Sequence, residues 1–208
     1  MESPVRGGTR WKRFAVVMVP SVAAAAAIGV ALGQGALAAS FSVSGQEFKV
    51  ATKTLDGKGF MQYGALDIQH DKTPVPVAVS AFNEATITGL CQSVVVPVPV
   101  LGKVTMRLDA GNGSSEVYAK NLYIDLNQLD ADATFGNINI GVAAGDSKKG
   151  PGIKPGDNAD AGSFAQEADT AYLTNVKQIA WATSAGTFKL GGLHLELHKG
   201  SGSGVECY

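Results

Sequence analysis

After Ser40 the apolar residues keep a period of two, and at five places a step of three breaks it. Phe41 and Val43 alternate with Ser42 and Ser44. Val104, Met106 and Leu108 alternate with Thr105 and Arg107, and Leu193, Leu195 and Leu197 with His194, Glu196 and His198. Alternation of this kind belongs to strands buried on one face. The breaks share one form: an apolar residue, any residue, Asn or Gly, then an apolar residue. They fall at Ile87–Leu90, Ala119–Leu122, Phe135–Ile138, Leu173–Val176 and Leu190–Leu193. Asn and Gly tolerate positive φ, which bulges and sharp bends require. Each unit therefore predicts a strand that bends and continues with its inner face reset. The expected fold is all-β: bent strands forming a sandwich, a roll or a groove-like curved sheet.

Two further stretches refine that picture. Pro74-Val-Pro76-Val and Pro97-Val-Pro99-Val remove every second backbone donor, so these segments belong at sheet edges or in extended connectors. Residues 146–163, DSKKGPGIKPGDNADAGS, lack apolar periodicity and predict a flexible loop, long for a compact domain.

The N-terminus obeys other rules. Phe14–Leu32 is uncharged and apolar, and Arg10, Lys12 and Arg13 precede it directly. A basic flank before an apolar run is the pattern of an export signal or a membrane anchor. The run exceeds the roughly 7–15 residues of a usual signal core and approaches the roughly 20 that span a bilayer as a helix. Ala36-Leu37-Ala38 supplies small residues for cleavage, which makes Ala38 and Ala39 the candidate cleavage positions. Residues 1–39 are thus the expected basic n-region plus a signal peptide or signal anchor, whose hydrophobic helix is cleaved or retained. Residues 40–208 form the expected domain, secreted or anchored on the outer side of the cytoplasmic membrane.

The net charge of −1 conceals about +3 before Ser40 and about −4 after it. A mildly acidic domain has no electrostatic footprint for nucleic acid, so that partner is rejected. Cys91 and Cys207, the two cysteines, both follow the apolar segment. In an oxidising compartment they predict one disulfide, tying down the Gly/Ser-rich tail.

No catalytic or metal constellation is expected. His194 and His198 sit on an alternating segment, where four residues span about 13 Å, too far to share one ion. Gly200–Gly204 has the letters of a nucleophile elbow out of register, and Ser184 in ATSAG lacks the first glycine. Asp130 with Asp132, and Asp157 with Asp160, lack the alternating ligand pattern of a calcium loop. Asn112-Gly-Ser114 fits a glycosylation sequon but reads as a turn.

Four segments carry a likeness: GFMQYGALDI (Gly59–Ile68), ITGLCQSV (Ile87–Val94), ATFGNINIG (Ala133–Gly141) and QIAWATSAGTFKLGGL (Gln178–Leu193). Through them the region after Ser40 resembles an actinomycete family of exported proteins of unknown function, some labelled cholesterol esterase. The resemblance implies export and carries over no catalytic residue. The expected function is a non-catalytic extracytoplasmic envelope protein, without cofactor. Its expected partner is a lipid or other apolar small molecule, or an envelope membrane protein. A lipid or sterol esterase is the alternative from the label and would need a nucleophile such as Ser184 near His70 or His194. A purely structural envelope role is the other.

Overall fold

The structure is a computed structural model and describes residues 43–208. The expected N-terminal helix and the cleavage candidates Ala38 and Ala39 lie outside the described residues. No helix among the described residues is long and apolar enough to cross a membrane.

Eight strands form one antiparallel sheet: β1 (Phe48–Ile68), β2 (Pro74–Thr88), β3 (Leu90–Val98), β4 (Gly102–Ala110), β5 (Val117–Gly136), β6 (Asn139–Ala143), β7 (Phe164–Leu190) and β8 (His194–Lys199). The spatial order is β6-β7-β5-β2-β1-β3-β4-β8, with β7 also paired to β1. That extra pairing closes a circuit, since β1 bonds β2, β2 bonds β5, β5 bonds β7 and β7 returns to β1. Closure removes strand edges within the circuit. The all-β, bent-strand expectation is therefore met.

β1 shows how far the strands curl. Its 21 residues would span about 70 Å if straight. Yet Val43, which precedes it, donates from its N–H to the Ile68 carbonyl at 3.1 Å and accepts from the His70 N–H at 3.2 Å. The five steps from Val43 to Phe48 reach at most about 18 Å, so β1 must turn back on itself.

The turning of β1 falls in line with the predicted bends on the neighbouring strands. Gly89, Asn121, Asn137, Asn175 and Gly192, the central residues of the five units, all have positive φ, between 48° and 65°. They align across strands. Lys53 on β1 lies opposite Asn175 on one side and beside Gly89 on the other, as the flanking pairs show. The line continues where the Gly89 N–H donates to the Gly111 carbonyl and the Gly111 N–H to the Gly191 carbonyl, both at 2.8 Å. A second line runs through Asp169, Gly59, Asn83, Asn121 and Gly186. Lys53 and Gly59, Asn83 and Gly89, Asp169 and Asn175 are each six positions apart. Two parallel creases thus fold the sheet. At Gly59 glycine is obligatory: φ is +62°, and a Cβ would overlap Asn83 Nδ2 and lie 2.6 Å from the Lys149 carbonyl oxygen.

Each crease shifts the inward register by one. Thr52 gives way to Leu55 across the first on β1, and Gly57 to Phe60 across the second. The main core gathers these positions, including Leu55, Phe60, Phe82, Leu122, Leu173 and Val176. A second cluster occupies the opposite face, where Met61, Tyr63, Val79 and Tyr123 are buried.

The prolines sit where one neighbour is missing. Pro74 and Pro76 pair only with β1, because β5 joins β2 from Ala78 onward. Pro97 pairs only with β4. The C-terminal tail is tied to β3 and β4. Cys91 and Cys207 form a disulfide, the Cys207 N–H donates to Ser93 Oγ at 3.1 Å, and Thr105 Oγ1 donates to the Gly200 carbonyl at 2.7 Å.

A candidate apolar cleft and its surroundings

The creases leave a cleft of about 170 Å³ on the inner face of the closed circuit. Its walls come from all four strands: Leu55 and Phe60 (β1), Phe82 (β2), Ile124 and Phe135 (β5), Leu173 and Val176 (β7). Phe60 stands at the centre of an aromatic group, with ring centroids 5.4 Å from Phe82 and 5.0 Å from Phe135. One end is polar but uncharged. Gln166 Nε2 donates to Gln62 Oε1 at 2.6 Å, and Gln62 Nε2 donates to Ser80 Oγ at 2.8 Å. These three lie on β7, β1 and β2 just past the second crease, which turns them inward. Gln178 adds a fourth polar group to the lining. The mouth lies along the exposed distal half of β5, at Leu129, Ala131 and Ala133. No residue of the lining carries a charge or titrates near neutral pH.

The opposite face is covered by the segment expected to be a flexible loop. Residues 146–163 cross β1, β2 and β5 as a strap, with Ile153 and Ala159 packed on the second cluster. Tyr63 Oη donates to Asp157 Oδ2 at 2.7 Å and accepts from the Lys154 N–H at 2.9 Å. The Leu66 N–H donates to the Asn158 carbonyl at 3.0 Å. Lys154 Nζ lies 3.4 Å from Asp125 Oδ2 and 3.2 Å from Asp157 Oδ1. Asp125 is 1% exposed, and its Oδ1 has no hydrogen-bond partner. Burial pushes its carboxyl up, Lys154 pulls it down, and Asp67 and Asp157 push it up again, leaving it at about 6. Burial likewise raises Asp67 and the Tyr63 phenol.

The strap's first turn is fixed by Glu167 of β7. Its Oε2 accepts from Ser147 Oγ at 2.8 Å and from the Lys148 and Lys149 N–H groups at 2.7 and 3.0 Å, while Oε1 accepts from Asn139 Nδ2 at 3.0 Å. Burial alone would raise this carboxyl, but the four donors outweigh it and hold it down at about 2.

Beyond the first crease, β3, β4 and β8 form an open extension whose inner face is apolar. Val94, Met106 and Leu197 are cross-strand neighbours there, as are Leu108 and Leu195. Leu197 is 68% exposed. At the β3–β4 turn Val100 is 105% exposed with φ +71°, and Leu101 is 59% exposed. A β-branched residue in the left-handed region costs about 1–2 kcal/mol, and that position normally takes Gly or Asn.

His194 and His198 lie on β8 and both approach Glu196, at 2.9 and 3.1 Å. Among the described residues no group of three or more His, Cys, Asp or Glu could hold a metal ion. Ser184 lies on β7 and lines a separate open groove beside the strap, with Asn83, Tyr123 and Lys154, and no histidine lines that groove. Sequence reasoning missed the Gln62–Ser80–Gln166 ladder and Glu167. Their signal is a polar residue at an inward or covered position, and it becomes visible only once the crease register is known.

No curated protein and no solved structure matches the chain. Residues 44–208, the whole of the crease-folded domain, match the family of unknown function DUF6230, and the chain belongs to that family.

Proposed function

We propose that this is a non-catalytic extracytoplasmic protein of the cell envelope that holds an uncharged apolar molecule, a lipid or part of one, in its inner cleft. The cleft carries the reading: aromatic and aliphatic walls converge on an uncharged ladder of Gln62, Ser80 and Gln166. Apolar enclosure with a few placed polar groups is the usual form of a small-molecule site. A volume of 170 Å³ is close to that of a cavity of roughly 150 Å³ that accepts benzene. It therefore suits one end of an amphipathic ligand, with the remainder lying along the mouth at Leu129 and Ala131. The basic and apolar N-terminal sequence supports export, and the Cys91–Cys207 disulfide supports an oxidising compartment.

An esterase has less support. Ser80, the serine in the cleft, is engaged by Gln62, and no histidine lines either the cleft or the groove at Ser184. Native mass spectrometry of the full protein, purified from its own envelope, tests the proposal. A reproducible extra mass that organic solvent releases, and that Ala133→Trp at the mouth removes, is the expected result. A bare protein mass from the unaltered chain would overturn it and point to a structural role.

A further inference from the structure

The β3–β4 hairpin ends in an apolar point that nothing in the domain covers. Val100 is fully exposed at φ +71° and Leu101 is more than half exposed, so backbone strain is maintained to present two aliphatic side chains to solvent. The chemistry around them is one-sided. From Leu90 to Leu108 there is no Asp or Glu. Lys103 follows the turn, and Lys199 of β8 pairs beside it at Val104, both exposed. Glu206, the carboxylate that senses Lys103, is paired with Lys49 at 2.8 Å.

We propose that this tip inserts into the interface of an anionic phospholipid bilayer, with Lys103 and Lys199 at the headgroups. Three observations favour lipid over a protein partner. The point is narrow, one turn wide, whereas a standard protein interface covers about 800 Å² on each side. Pro99, at the turn beside Val100, has no N–H, which removes a donor that would otherwise lack a partner in an apolar medium. Lys103 lies two to three residues behind the tip, about 7–10 Å, which matches the depth of roughly 5–10 Å to which interfacial apolar groups are buried. The tip is a different surface from the cleft, and its insertion does not depend on a ligand in the cleft.

The test uses the full chain, whose own apolar N-terminal segment would dominate any simple vesicle-binding assay. The readout must therefore be local. Leu101→Cys, with the Cys91–Cys207 disulfide intact, is labelled with a polarity-sensitive fluorophore and reconstituted into phosphatidylcholine vesicles containing phosphatidylglycerol. The label should shift to the blue and be quenched by a spin label in the acyl region but not by iodide, while the same label at Lys120→Cys stays in water. Each lysine contributes about a tenfold factor or less at an anionic surface, so Lys103→Gln with Lys199→Gln should lower the inserted-to-free ratio roughly thirty-fold. A Leu101 label that stays open to iodide in these vesicles overturns the proposal. So does a label shielded in native envelopes but exposed in the vesicles, since a protein would then be the cover.

Discussion

Replacing Glu167 by Gln should release the start of the strap while leaving the sheet intact. The residue is 5% exposed, and its two carboxylate oxygens accept four hydrogen bonds, three of them from residues 147–149. Gln matches Glu in shape but offers one acceptor oxygen, so one set of donors must face an NH₂ group. The depression from 4.5 to about 2 sets the scale: at about 1.4 kcal/mol per pKa unit it corresponds to roughly 3 kcal/mol. The glutamine keeps part of that, so a loss of about 2–3 kcal/mol is expected at pH 7. Urea denaturation measures it, and limited trypsin digestion should cut earlier at Lys148 and Lys149, whereas Lys154 is protected from trypsin by Pro155. The pH dependence is the sharper check. A carboxyl depressed in the folded state stabilises fully above its unfolded value of about 4.5 and loses that contribution as pH falls towards 2. The two proteins should therefore differ at pH 7 and converge in acid. Equal stability at pH 7, or a gap that persists at pH 2, would refute the assignment of Glu167 as the strap's anchor.

Asp125 works in the opposite sense, because burial raises its carboxyl to about 6 from 3.8. The folded state binds a proton there before the unfolded state does. Lowering the pH from about 7 towards 5 should thus add stability, and Asp125→Asn should flatten that slope in urea midpoints measured against pH. At the second crease, Asn121 holds φ +48°, so Asn121→Val should cost about 1–2 kcal/mol in thermal or urea unfolding while Asn121→Gly stays within a few tenths. The disulfide closes a sequence separation of 116 residues, and loop-closure entropy puts its contribution at about 5 kcal/mol. Cys91→Ala with Cys207→Ala should lower stability by up to that amount, measured by urea unfolding without reductant.

The creases were legible in the sequence to an unusual degree, because a step of three in a period-two pattern is a local signal. Every central Asn or Gly of the five units has positive φ. Gly59 escaped the pattern only because Gly57, two places before it, has no apolar side chain and instead receives the Phe82 ring. The edge positions of Pro74, Pro76 and Pro97 were also legible, since a missing donor is a property of the residue alone. Closure was not legible. It depends on β1 meeting β7, and no local feature of either strand records that pairing. The cleft was hidden for the same reason: Gln62, Ser80 and Gln166 look like ordinary polar positions until three strands are brought into register. Residues 146–163 show the limit from the other side. Their composition reads as a loop, and what attaches them, Tyr63, Asp125 and Glu167, lies on three different strands.

Closure also dictates an order of events during biosynthesis. Phe48–Tyr63 pairs on one edge with Ala165–Ala180, so the first strand made waits for the last third of the chain before that edge is satisfied. Pairing across such a distance is slow, because loop closure must be achieved before the contacts reward it. Until then a long strand with a free edge is exposed to its own copies. Its other edge is occupied sooner, by the adjoining hairpin to β2. A chain that stalls before residue 165 therefore holds a half-paired β1 and no route to complete it, and such fragments are expected to aggregate or be degraded rather than persist as a smaller domain.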